Sequence, residues 1–181
     1  MTQLDEVTTR AARPLPWQEQ SYQLLRAHDV SIFGYVPDAG HSVLINRSIE
    51  DPAVQAVSLT TEQEGIGLLT GAHLGGKRGV LLMQSSGVGN CINQLSLVRH
   101  GRFPFLTLVT MRGTYGEGNP WQYAMGQAVR PVLEAMGVIV LAAEKEEDAI
   151  PTIDAALTMS FKAGNAVAVL LTQRLIGAKE F

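Results

Sequence analysis

At 181 residues the chain is ample for one well-buried domain and short for two. With 46% apolar and 17% charged residues and a net charge of −3, it has neither the basic excess of a nucleic-acid-binding protein nor an acidic tail. The single cysteine, Cys91, excludes an internal disulfide; no apolar run spans a bilayer, and Asp5 and Glu6 stand where a signal peptide would be basic and then apolar, so a cytoplasmic protein without a membrane partner is expected.

Met1–Arg13 is polar and lacks apolar periodicity, so it is expected to form an arm apart from a domain of residues 14–181. Pro16 suits the first turn of a helix whose one face carries Trp17, Ser21, Leu24, Leu25 and His28. Val30–Val36 reads as a buried strand, closed by a turn at Pro37-Asp38-Ala39-Gly40 and followed by a helix over His41–Ile49. Val54–Leu59 gives a second strand. The next helix begins after Thr61, with a capping box of Thr61 and Glu64 and with Glu62 near the positive end of the macrodipole. Gly65, Gly67 and Gly71 inside it each cost about 1 kcal/mol relative to Ala, which asks for the close approach of another backbone. Gly75-Gly76-Lys77 ends it.

Val80–Gln84 reads as a strand buried on both faces, followed by a glycine turn at Ser85–Asn90 and by helical spacing through Val88, Ile92, Leu95 and Val98. Phe105–Thr110 is a fourth strand. A glycine-rich loop, Arg112–Pro120, leads to a helix bearing Val129, Val132, Leu133 and Met136; Val138–Leu141 is a fifth strand, Ile150 to Phe161 mark the last long helix, and Val167–Leu171 is the sixth strand. Such alternation implies α/β architecture: one three-layer α/β/α domain around a six-stranded parallel sheet. Ligands bind such sheets outside the carboxyl ends of the strands. The segments there are Pro37–His41, Glu62, Gln84–Asn90 and Arg112–Gln122.

Each of these residues also has a local reading. Glu62 can serve only the helix dipole, and Ser85, Ser86 and Asn90 can cap a helix or turn. Gln84 ends a buried strand and has no such excuse. Gly87-Val88-Gly89 between a strand and a helix is a phosphate-binding form, yet it lacks the third glycine of a dinucleotide fingerprint and the Lys-Ser/Thr of a P-loop. Taken alone, His41 reads as a surface residue, Arg112 as half of an exposed or interface salt bridge, Trp121 as a packing or interface anchor, and Cys91 as a small core hydrophobe.

Taken together, Glu62 followed by Gly67 and Gly71, then Met83-Gln84-Ser85-Ser86-Gly87-Val88-Gly89-Asn90, resembles the pyrimidine-binding domain of thiamine-diphosphate-dependent 2-oxo acid decarboxylases. Met111-Arg112-Gly113, Gly116–Gln122, Met125-Gly126-Gln127-Ala128 and Arg130-Pro131 look most like the α subunit of sulfopyruvate decarboxylase, with phosphonopyruvate decarboxylase the nearest relative. The resemblance runs from about Trp17 to Thr172. It implies that Glu62, rather than Glu64, is the catalytic carboxyl, hydrogen-bonded to the pyrimidine nitrogen so that the imino tautomer takes the proton from the thiazolium carbon. The acid then loses carbon dioxide and leaves as an aldehyde. By the same resemblance Pro37, Gln84, Ser85, Ser86, Gly87 and Asn90 join Glu62 at the cofactor. Asp38, His41, Arg112, Asn119 and Gln122 meet the substrate, Arg112 by pairing a sulfonate or phosphonate.

The family holds the diphosphate through Mg²⁺ on a Gly-Asp-Gly motif, which this chain does not contain. The resemblance therefore implies a β subunit carrying the diphosphate and Mg²⁺ site, α–α contacts besides, no metal ligands here, and no activity for the chain alone. Pro37-Asp38-Ala39 departs from the family's Pro-Asp-Ser, which keeps phosphonopyruvate or another 3-substituted pyruvate open as substrate. A non-catalytic nucleotide-binding module using Ser86–Gly89, or a structural subunit with a decayed site, are the other classes.

Overall fold

The computed structural model describes residues 15–178; the expected arm, Met1–Arg13, lies outside them. Each apolar run becomes a strand: β1 (Val30–Tyr35), β2 (Gln55–Ser58), β3 (Arg78–Gln84), β4 (Phe105–Thr110), β5 (Ile139–Ala143) and β6 (Ala166–Leu171). They form one sheet in the order β2-β1-β3-β4-β6-β5, with every pairing parallel. The helices are α1 (Trp17–Ala27), α2 (Ser42–Glu50), α3 (Glu62–Leu74), α4 (Ser85–Cys91), α5 (Leu95–Gly101), α6 (Trp121–Ala135), α7 (Glu146–Phe161) and a short α8 (Gln173–Ile176), with a 3-10 turn at Ala39–His41.

Strand side chains alternate between two separate cores. Phe33, Leu82, Leu108 and Val169 pack with Leu25 of α1, Leu44 of α2 and Leu157 of α7. Ile32, Leu81, Met83 and Val109 pack with Ile66 of α3, Val88 of α4, Leu95 of α5 and Leu133 of α6. The sheet is thus covered on both faces, and the expected three-layer α/β/α architecture is what the chain adopts. The connection after β1 leaves toward α2 on one face, and the connection after its neighbour β3 leaves toward α4 on the other. A reversal of this kind opens a crevice at the carboxyl edge. Among the described residues no helix is long and apolar enough to cross a membrane.

Three local expectations change. Ser85–Asn90 is helical, because α4 starts immediately after β3. The glycines there serve packing between helices: a Cβ on Gly87 would press on Glu62, and one on Gly89 would come 3.0 Å from Met125 Sδ. The single helix expected through Val98 is two, α4 and α5, separated where Ser96 and Leu97 donate backwards by three residues to Asn93 and Gln94. The capping box does not form, since the Thr61 hydroxyl makes no cap hydrogen bond and Glu64 accepts from the Thr60 amide, one residue before the cap, at 2.8 Å.

Only one of the three α3 glycines is explained by close approach within the chain. A Cβ on Gly65 would run into Leu81, whereas at Gly67 and Gly71 it would meet nothing within 4 Å among the described residues. Gly67→Ala and Gly71→Ala are therefore expected to stabilise the isolated chain by about 0.5–1 kcal/mol each, and Gly65→Ala to destabilise it. Urea unfolding midpoints check this; a Gly65→Ala variant as stable as the parent would contradict the tight α3–sheet contact.

Candidate active site

Glu62, the first residue of α3, is 8% exposed. Its Oε2 accepts a 2.8 Å hydrogen bond from Asn90 Nδ2 on α4. Its other oxygen lies over the backbone of Gly87, where a Cβ would come within 2.5 Å of Cγ, Cδ and Oε1. Glu64, two residues on, is exposed and engaged by the Thr60 amide. The two acidic residues of the first turn thus have different surroundings, one facing α4 and one holding the helix start.

Gln84, at the end of β3, begins a second group. Its Nε2 donates to Asp38 Oδ1 at 3.4 Å, its Oε1 accepts from Ser86 Oγ at 3.0 Å, and Thr110 Oγ1 donates to Asp38 Oδ2 at 2.6 Å. Asp38, Gln84, Thr110, Arg112 and Ile176 line a cavity of about 170 Å³ at the carboxyl edge. Gly40 approaches Thr110 so closely that a Cβ would sit 2.7 Å from its methyl group. The buried Ser85 hydroxyl accepts from the Arg112 amide at 3.1 Å, tying α4 to the loop after β4.

That loop is organised by Glu117. Its buried carboxylate accepts from Arg112 Nε at 2.5 Å and Nη2 at 2.7 Å, from the Gly113 and Asn119 amides at 3.3 and 3.0 Å, and from Gln173 Nε2 at 3.0 Å. The Arg112 guanidinium, with those amides, holds the carboxyl down at about 2, while Glu117 pushes the Arg112 pKa up. Gln173 in turn accepts from the amides of Thr114 and Tyr115, each at 2.9 Å.

The sequence-derived residues thus divide. Glu62, Gly87 and Asn90 come together, as do Asp38, Gln84, Ser86 and Arg112. His41 stands outside both groups: its ring is wholly buried, with Nε2–H donating to the carbonyls of Met83 at 3.2 Å and Leu108 at 3.0 Å, so it is neither a surface residue nor placed to meet a substrate. Burial lowers its pKa, and among the described residues Nδ1 has no hydrogen-bond partner. Asn119 caps α6 through the Trp121 amide at 3.0 Å, Gln122 has a buried unpartnered Oε1, and Pro37 is exposed on the loop after β1. Gly87 and Gly89 are covered by Glu62 and Met125, which disfavours a phosphate on this turn. Thr110, Glu117 and Gln173 escaped the sequence reading. Thr110 ends a strand at the ligand-binding edge and Glu117 sits five residues from Arg112, signals that were present.

Cys91 is buried, its thiol pushed up to about 12 by burial and by Glu62, in keeping with a core role. Among the described residues no group of three or more His, Cys, Asp or Glu is placed to hold a metal ion.

Two titrations follow. Glu117 is held below an ordinary carboxylate, so its stabilisation is complete above its unfolded pKa of about 4.5 and is lost as pH falls towards 2. Glu117→Ala leaves Arg112 without its carboxylate and is expected to cost roughly 3–5 kcal/mol at neutral pH, read from urea midpoints. The lowered pKa of His41 has the opposite consequence to a salt-bridged histidine. The unfolded chain takes up the proton first, so stability falls as pH drops below about 6.5. Stability measured against pH should flatten there in His41→Asn; an unchanged slope would remove His41 as its source.

No profile of a known protein family matches the chain. It is 34% identical to the sulfopyruvate decarboxylase subunit alpha of Methanococcus maripaludis over 154 residues, 84% of this chain and 92% of that one. It is 39% identical over 101 residues to the phosphonopyruvate decarboxylase of Streptomyces viridochromogenes, covering 55% of this chain and 25% of that protein. Among solved structures, a 2-oxoglutarate:ferredoxin oxidoreductase from Magnetococcus marinus superposes with a TM-score of 0.73 at 16% identity, covering 90% of this chain and 29% of that one, which shows a shared fold. The extent of the first similarity, nearly end to end in both chains, establishes that the chain belongs to the sulfopyruvate decarboxylase α-subunit family.

Proposed function

We propose that this chain is the pyrimidine-binding α subunit of a cytoplasmic, two-subunit decarboxylase that uses thiamine diphosphate to convert sulfopyruvate to sulfoacetaldehyde and carbon dioxide. The observation that carries the reading is the Glu62 carboxyl, held by Asn90 against the bare backbone of Gly87 at the ligand-binding edge of the sheet. When bound, thiamine diphosphate supplies the electron sink for the departing carboxylate. Glu62 would hydrogen-bond the pyrimidine nitrogen and exchange a proton with it. The apolar Ile66, Leu81 and Val88 behind it help to exclude water. Gly87 keeps the first turn of α4 close to this carboxyl, and Gln84, paired with Ser86, lines the cavity.

The cavity holds the acid. Asp38, Thr110 and Arg112 line it. Because Nε and Nη2 of Arg112 already engage Glu117, Arg112 serves the cavity with its charge and shape rather than as a bidentate clamp on the anion. His41 supports the site from below by joining the ends of β3 and β4, and Asn119 and Gln122 act through the start of α6. Mg²⁺ and the diphosphate belong to a β subunit. We place that subunit over the exposed Gly67–Gly71 stripe of α3, with α–α contacts completing the assembly. Phosphonopyruvate is the second reading, favoured by Ala39 on the substrate loop and by the phosphonopyruvate decarboxylase relative.

The test is to assemble the chain with its β partner, thiamine diphosphate and Mg²⁺, and to follow carbon dioxide release from sulfopyruvate, phosphonopyruvate and pyruvate. Turnover only by the assembly, fastest with sulfopyruvate, is expected; failure of the assembly to bind the cofactor would refute the reading. In that complex Glu62→Gln should lower kcat about 100-fold or more with the fold intact. Glu64→Gln should leave kcat alone and cost about 0.5–1 kcal/mol of stability through the Thr60 amide.

A further inference from the structure

We infer that Asn90 is a positioning residue for Glu62, one that determines which carboxyl oxygen carries the proton. The inference rests on the functional reading above and goes beyond it by giving Asn90 a task through Glu62 rather than on the cofactor ring.

Asn90 lies near the end of α4 with its side chain exposed, and asparagine is a weak helix former there. Its amide makes one side-chain hydrogen bond, the 2.8 Å donation from Nδ2 to Glu62 Oε2. Among the described residues no other side chain donates to Glu62. The carbonyl oxygen of a carboxylic acid is a better acceptor than its hydroxyl oxygen, so when Glu62 is protonated the Asn90 N–H favours Oε2 as the carbonyl oxygen and the proton on Oε1. Gly87 completes the clamp from the opposite side, since a Cβ there would occupy the space of Cγ, Cδ and Oε1. The carboxyl is therefore fixed by a donor at one oxygen and by a missing side chain at the other. Oε1 is left as the oxygen that exchanges its proton with a ring nitrogen. The thiol of Cys91, the other titratable group that feels Glu62, stays protonated and adds no charge.

Two variants in the assembled complex test this. Asn90→Ala removes the donor from an exposed position, and Asn90→Asp replaces it with a second carboxylate. Both changes favour protonated Glu62, so the acidic limb of the kcat pH profile should move to higher pH, further for Asp than for Ala. For Asn90→Ala we expect an unchanged urea midpoint, KM within about threefold and kcat lowered about 10–100-fold, as for loss of one orienting hydrogen bond. The near-ultraviolet circular dichroism band of the imino tautomer should weaken in parallel, and thiamine diphosphate affinity should change little. A wild-type pH profile and imino band in Asn90→Ala, with Glu62→Gln still inactive, would overturn this inference and leave the functional reading standing. Full turnover in Glu62→Gln would overturn both. A lowered urea midpoint with an unmoved pH profile would mean that Asn90 only holds α4 to α3.

Discussion

The close approach of α3 to the sheet is the constraint on which the candidate site depends. A Cβ on Gly65 would strike Leu81, and one on Gly79 would strike Leu69. Helix and strand therefore meet nearer than two ordinary side chains permit. With α3 so low, its first residue is level with the first turn of α4, and its carboxyl fits only because residue 87 has no side chain. The absence of a linker between β3 and α4 puts Gln84 on the cavity and Gly87 under Glu62 within four residues of chain. One packing decision on the sheet thus sets the positions of both functional groups.

Two buried carboxylates at the same edge have opposite environments. Glu117 accepts from two guanidinium nitrogens, two amides and an amide side chain, and is ionised at any ordinary pH. So many donors fix a charge in place and suit a structural hub. Glu62 has one donor and keeps an 8% exposure. The loop after β4 is accordingly rigid by internal satisfaction, and Gln173, at the opposite end of the sequence, is part of what holds it.

The strands were legible because buried parallel strands are written as unbroken apolar runs, and Phe105–Thr110 is found at its expected bounds. The order of elements followed from the same runs. Ser85–Asn90 was misread as a turn because local propensity favours one; burial against Glu62 and Met125 overrides it, and only coordinates reveal which atoms crowd a glycine. His41 looked superficial on residue type. The carbonyls of Met83 and Leu108 that capture its ring lie 42 and 67 residues away, beyond any local signal. Arg112 was recognised as one half of a pair, but the pair was expected with a substrate, on the exposed surface or across an interface, rather than buried with Glu117 in the same loop.

The edge is finished on one side and open on the other. Around the cavity nearly every polar group is satisfied from within: Asp38 by Thr110 and Gln84, Arg112 by Glu117, Glu117 by Gln173. Along α3 the chain instead carries two exposed glycines that pack against none of the described residues, each a cost to the helix of about 1 kcal/mol. At the start of α6 it holds Trp121 83% exposed. Local folding explains neither feature, and both lie on helices that lead into the site, α3 beginning at Glu62 and α6 packing Met125 over α4. The chain therefore preorganises its carboxyl and its cavity in advance, and in the proposed complex the second subunit has only to cover what is already in place.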